Sequence, residues 1–173
     1  YILGGTVEIK NGSALNIGSG VADNHFFVSD LNMTNNSALN AMNSVLNKYQ
    51  ISNDMIVEGK NNLSIDIDGR NKVGDACIIN NLTSNTNGTL NVADFNFIGL
   101  APIDRQFKIR VFDANSINDK VNFTSTDKEI FTPIGYYNLQ SAGGGYYTSN
   151  MARYNPQVFR GQVATLATYN NQL

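Results

Sequence analysis

Two stretches decide how this chain is read: GTVEIKNGSALNIG, residues 5–18, and NGTLNVADFNFIG, residues 87–99. Each passes from Gly and Thr into apolar–polar–apolar alternation, meets an Asn or Asp corner, and resumes with a second alternating pair. Period-two alternation places one set of side chains on a buried face, so each stretch reads as two short strands. The Asn11-Gly12 corner makes residues 6–10 and 14–17 either the arms of a hairpin or two faces of one coil in a solenoid. The pattern recurs at irregular distance, without the regular 8–12 residue strand spacing of an antiparallel sandwich, and this favours the solenoid.

Further strands follow the same rule. Leu63, Ile65 and Ile67 face one way and Ser64, Asp66 and Asp68 the other, before Asp68-Gly69 ends the run. Residues 77–79 and 89–92 follow, and Phe95 and Phe97 continue with the opposite parity, as at a strand bend or bulge. Phe107, Ile109 and Val111 alternate with Lys108, Arg110 and Phe112, and Val121 and Phe123 form a last short pair. Roughly one residue in six is Asn, and Asn and Gly both tolerate left-handed backbone angles, so many tight turns and short strands are expected. One segment breaks the pattern. Over residues 37–49, Leu39, Met42, Val45, Leu46 and Tyr49 recur at helical spacing behind Asn36 or Ser37 as N-cap, which predicts a short inserted helix covering the sheets. A second helix is expected in the tail, where Phe159, Val163, Leu166, Tyr169 and Leu173 recur at the same spacing.

Composition excludes several classes. The 173 residues suit one domain with its own core. Net charge is −2 with no long run of one sign, so DNA and RNA are discarded as partners. Apolar runs such as residues 26–28 and 77–79 are far shorter than the roughly 20 residues of a membrane-spanning helix. The start, Tyr1-Ile2-Leu3-Gly4-Gly5, has no Met and no basic leader, so the chain is expected to be a fragment of something longer. Cys77, the single cysteine, sits among Ala76, Ile78 and Ile79 and reads as a small buried hydrophobe. His25 is the single histidine, so neither a Ser-His-Asp set nor a nitrogen–sulfur zinc site has support, and the chain is expected not to be an enzyme.

Two groups of residues are candidates for a site. In SIDIDGRNKVGD, residues 64–75, Asp66, Asp68 and Asp75 supply oxygens near a Gly at a spacing similar to that of a calcium loop. Ser64 stands where such a loop wants Asp, however, and a strand ended by an Asp-Gly turn accounts for the same letters without metal. In GYYNLQSAGGGYYTS, residues 135–149, Tyr136-Tyr137 and Tyr146-Tyr147 flank three glycines, which predicts a hairpin with facing rings. Those tyrosines either stack on sugars or close the open end of a sheet stack, where an uncovered strand edge would invite aggregation.

The Asn-rich, Cys-poor coils, the aromatic glycine hairpin and the tail RYNPQVFRGQVATLATYNNQL, residues 153–173, together resemble the C-terminal part of a bacterial autotransporter passenger. The resemblance implies an all-β chain, a right-handed parallel β-helix over residues 1–153, with its folding nucleus (autochaperone) and cap at 107–147. It implies a linker helix at 154–173 leading toward an outer-membrane barrel of the same precursor, with Pro156 at its entrance. Asn170-Asn171 match the Asn pair at which some members cut themselves, without the acidic residues that surround it there. The implied role is non-catalytic: a stalk at the cell surface or in the extracellular space, carrying adhesion toward a surface glycan or protein. The rival reading is a glycan-binding or glycan-cleaving β-helix, such as a phage tail-fibre or lyase-like module, with Tyr136, Tyr137, Tyr146, Tyr147, Asp66 and Asp68 lining a groove.

Overall fold

The computed structural model describes residues 2–17, 25–100, 102–157 and 160. Strands β1 (Ile2–Ile9), β2 (Ala14–Asn16), β3 (His25–Thr34), β4 (Ala38–Asn40), β5 (Lys48–Glu58) and β6 (Lys60–Asp68) come first. They are followed by β7 (Val73–Gly74), β8 (Ala76–Thr83), β9 (Thr89–Phe97), β10 (Gln106–Arg110), β11 (Phe112–Ile117) and β12 (Asn122–Ser125). The short β13 (Ile130–Phe131) and the long β14 (Gly135–Gly143) and β15 (Tyr146–Tyr154) complete the chain.

The chain is an all-β solenoid. β1, β3, β5, β8 and β11 stack in parallel as one sheet, and β2, β4, β6, β9 and β12 stack in parallel as a second. β1 and β2 therefore do not pair with each other, and residues 5–18 form two faces of a coil, not a hairpin. The first coils run on a period of about 24 residues: Val7 lies over Leu31 and Leu31 over Met55, while Leu15 lies over Leu39 and Leu39 over Leu63, and register shifts absorb pairs one residue off it, such as Ile2 with Phe27 and Phe26 with Tyr49. Two identical tetrapeptides, Ser13-Ala14-Leu15-Asn16 and Ser37-Ala38-Leu39-Asn40, mark that period in the sequence.

The core is built of columns running down the stack. Phe26, Tyr49, Cys77 and Phe112 form one, and Ile9, Met33 and Val57 another, all of them buried. Leu39, Leu63 and Val92 form a third on the opposite sheet. Asn side chains repeat outside these columns: Asn40 Nδ2 donates to Asn16 Oδ1 at 3.0 Å, Asn91 Nδ2 to Asn62 Oδ1 at 3.0 Å, and Asn115 Nδ2 to Asn80 Oδ1 at 3.1 Å. Such ladders register one coil on the next without contributing to the core. The expected bend before Phe95 is present as a register shift between Leu63/Ser64 and their partners Val92/Asp94.

The inserted helix is not found. Residues 38–40 are strand β4 and residue 48 begins β5, with an irregular loop between. The helical spacing of Leu39, Met42 and Val45 was overridden by the asparagines among them. Asn40 Oδ1 accepts from the Met42 amide and Asn43 Oδ1 from the Val45 amide, and such local bonds compete with a helix for the backbone. Ser44 takes a positive φ of 72°, and Met42 is 36% exposed instead of facing a core. Of the expected tail helix over residues 154–173, Tyr154 is the last residue of β15, while residues 158, 159 and 161–173 lie outside the described residues, and no helix is among the described elements.

At the end of the stack the chain changes character. β10, β15, β14 and β13 form a four-stranded antiparallel sheet that closes over the last coil. Ile109, Tyr137, Leu139 and Tyr147 turn inward from it and are buried with Phe112 of the last coil. Ser125 Oγ, on the last parallel strand, donates to the Leu139 carbonyl at 2.7 Å, and Tyr147 Oη donates to the Leu90 carbonyl at 3.4 Å.

Candidate functional site

The hairpin predicted from the tyrosines and glycines is β14–β15, turning at Gly143, Gly144 and Gly145, all of positive φ. Its rings do not face one another: Tyr137 lies opposite Met151 and Tyr147 opposite Ser141. Strand alternation instead sends one tyrosine of each pair to each side of the sheet. Tyr137 and Tyr147 point into the core with no exposed surface. Tyr137 Oη donates toward the Asp104 carbonyl at 3.1 Å, and its ring meets Phe97 edge-on at 5.4 Å. A ring enclosed in this way has no face to offer a sugar. Tyr136 and Tyr146 occupy the outer side, each against a cation: Arg153 lies 3.7 Å above the Tyr136 ring, and Lys108 Nζ 4.3 Å and Arg110 5.2 Å from that of Tyr146.

Asp66 and Asp75 are brought together, whereas Asp68 is separate. Asp75 Oδ2 accepts from the Asp66 amide at 2.7 Å, and the Asp75 amide donates to the Asp66 carbonyl at 2.9 Å. Their other donors come from the loop that had read as a helix. The Asn43 and Ser44 amides both donate to Asp66 Oδ2 at 2.6 Å, and the Asn47 amide donates to Asp75 Oδ1 at 2.6 Å. The two carboxylates thus pin this loop over the outer side of β6. Asp68 points outward and caps the next turn through the Arg70 and Asn71 amides at 3.0 and 2.9 Å, bonds that hold its carboxyl below the ordinary range, the Asn71 amide foremost. Among the described residues, no group of three or more His, Cys, Asp or Glu is arranged to hold a metal ion. Calcium wants six to eight oxygens, and three of the four carboxylate oxygens of Asp66 and Asp75 already face N–H groups.

The electrostatics of this pair are unusual. Burial pushes the Asp75 carboxyl up to about 7, against the lowering effect of the Asp66 and Asn47 amides, and the Asp66 carboxylate beside it adds to the rise. The Tyr49 hydroxyl lies close by, outside hydrogen-bonding geometry, and burial followed by the Asp75 charge raises it as well. Asp66 Oδ1, Asn47 Oδ1 and the Tyr49 hydroxyl are all buried without a partner. A proton held by the Asp75 carboxyl would supply a donor to this acceptor-rich pocket.

A groove of about 700 Å³ opens directly outside that pair, between the third coil and the cap. Asn47 and Ala76, the neighbours of the buried carboxyls, form part of its floor, with Leu46, Val73 and Gly74 beside them. Four cations surround it: Lys48 at the start of β5, Lys72 in the β6–β7 turn, and Lys108 and Arg110 on the outer face of β10. Lys72 pairs with Asp104 and Arg110 with Asp113, each at 2.8 Å. Lys48 and Lys108 have no ion pair among the described residues. The same side of Tyr146 that holds Lys108 and Arg110 lines the groove, which therefore combines an aromatic edge, an apolar wall and an excess of positive charge. No protein-family model matches the chain, and no curated protein and no solved structure is significantly similar to it. Of the candidate residues read from the sequence, Tyr146 alone lines this groove. The β10 alternation already puts Lys108 and Arg110 on one face, but no local signal joins Lys48 and Lys72 to them.

Proposed function

We propose that the chain is the barrel-proximal part of a bacterial autotransporter passenger: a non-catalytic stalk, outside the cell or on its surface, attached through an outer-membrane barrel of the same precursor. The observation that supports this reading best is the antiparallel cap seated on the C-terminal coil, rooted by the buried Tyr137 and Tyr147. A β14–β15 hairpin is local in sequence and forms quickly, whereas each parallel coil pairing joins residues 23 or more apart. A nucleus at this end would offer a finished edge on which earlier coils stack one after another, each contacting its neighbours alone. Export that ends with the N-terminal coils would be drawn forward by that stacking.

The test is refolding of the isolated chain followed by pulsed hydrogen exchange. Amides of β14 and β15 should gain protection before those of β3 and β5, and deletion of residues 135–149 should slow refolding. Earlier protection of β3 and β5, with a refolding rate untouched by the deletion, would remove the nucleus from the proposal.

A second reading, a glycan-binding module, is favoured by one observation: the groove beside Tyr146, with its apolar wall and polar rim, has the volume of a small-ligand site.

A further inference from the structure

From the groove's chemistry we infer that it binds an acidic oligosaccharide, a short run of carboxylate-bearing sugars, through Lys48 and Lys108; this rests on the glycan-binding reading above. The charge balance selects an anion. Of the four cations around the groove, Lys72 and Arg110 are neutralised by Asp104 and Asp113, which leaves the ammonium groups of Lys48 and Lys108 unpaired at its rim. Both side chains are exposed and project from different elements, the first residue of β5 and the middle of β10, so they flank the opening from the coil and from the cap.

The apolar wall selects a sugar over a bare inorganic anion. Leu46, Val73 and Ala76 present C–H surface, Val73 with 45% of its surface exposed, which suits the C–H face of a pyranose ring. The Tyr146 ring is held against Lys108 and Arg110 and fixes their direction, so part of the ordering cost of binding is met before a ligand arrives. The guanidinium already gives one N–H to Asp113, whose carboxylate repels an anion at that end of the groove and would have to be displaced for two-point capture of a phosphate there. The remaining point charges match carboxylates spaced along a chain. A volume of about 700 Å³ is room for two or three sugar rings.

The test uses the whole chain, isotope-labelled, with three probes at low salt: trigalacturonate, neutral maltotriose and inorganic phosphate. Trigalacturonate should shift the amide signals of Lys48, Val73, Lys108 and Tyr146, and binding should weaken about tenfold on raising salt from about 0.05 to 0.5 M. Lys48→Gln with Lys108→Gln should weaken it about tenfold or more, and Lys60→Gln, on an exposed lysine of the other sheet, should leave it within about twofold. Equal binding of maltotriose would overturn the acidic ligand and leave the glycan reading standing. Phosphate binding as tightly as trigalacturonate would overturn the sugar. No shift with any of the three would sink both readings. Unchanged affinity in the double variant, with its native spectrum retained, would remove the two lysines.

Discussion

Replacing Asp75 with Asn isolates the buried carboxyl. In the folded chain this group titrates near 7 against an ordinary value of 3.8, so the folded state holds the proton more tightly than the unfolded state does. Stability from Asp75 is therefore complete below about pH 4 and is lost as pH rises through 7. The difference corresponds to roughly 4 kcal/mol if the whole displacement is realised, and about half of that if water or a loop shift relieves the burial. Asn has no proton to lose. It also puts an amide group where one of two N–H donors, from Asn47 or Asp66, now meets oxygen, an offset of about 1–3 kcal/mol at every pH. Urea unfolding of the two proteins at pH 4.5, 6, 7 and 8 should show the variant less stable in acid, with the gap closing by about 2–4 kcal/mol toward pH 8. The Asp75 carboxyl carbon, followed by NMR in the wild type, should titrate near neutrality. A stability difference constant within about 0.5 kcal/mol across that range, or a carbon that titrates below about pH 5, would refute the reasoning.

The cap makes two further predictions. Tyr147→Ala removes a fully buried ring beneath the cap and should cost about 3–5 kcal/mol by urea unfolding, whereas Tyr136→Ala, on the outer side, should cost about 1 kcal/mol or less; similar losses at both would deny the inward–outward division. Gly145→Ala would put a Cβ 2.3 Å from the Phe112 carbonyl oxygen at a φ of +81°, so the melting temperature should drop sharply, while Gly144→Ala, at a φ of +59° with nothing within 4 Å, should cost about 1–2 kcal/mol.

The sequence carried the solenoid where alternation was uninterrupted and lost it where the chain bends. Residues 63–67, 89–92 and 107–111 declare their faces because every second residue is apolar, and β6, β9 and β10 lie there. Strands β3 and β5 carry no such signal. Each has a register shift in its middle, between Val28 and Leu31 and between Ile51 and Asp54, which breaks the parity by which a strand is recognised. Over residues 37–49 the apolar letters at positions 39, 42 and 45 fit a helix, while the Asn side chains that hold the loop open act through local bonds that no apolar period records. The 24-residue period was present in the repeated Ser-Ala-Leu-Asn, but four letters are a faint mark when later coils abandon the spacing. Asp66 and Asp75 stand out in the sequence as closely spaced acids; that their partners are loop amides depends on a segment whose apolar spacing points to a helix.

The departures from the 24-residue period are where the groove arises. Between the second and third coils Leu39 still lies 24 residues from Leu63, but Leu63 lies 29 from Val92 and Leu90 lies 33 from Phe123. The surplus in the third coil is spent in the turn through Arg70, Asn71 and Lys72 and the short β7. That in the fourth forms residues 98–100 and 102–105 and β10, the first strand of the cap. The two excursions meet: a Cβ on Gly69 would lie 2.7 Å from the Pro102 ring, and Lys72 pairs with Asp104. Gly at 69 is thus required by the close approach of the second excursion to the first. Their meeting sets Lys72 and Lys108 on the same groove, which neither coil would form alone. A regular solenoid offers flat, repeating faces, and each extra residue must be ordered at a cost of about 1–2 kcal/mol of backbone entropy. Ten or more such residues placed on one side, enclosing an uncompensated positive charge beside a buried acid pair, are more than a stalk requires, and on that ground the groove, not the repeat, is the part of this chain to test for binding.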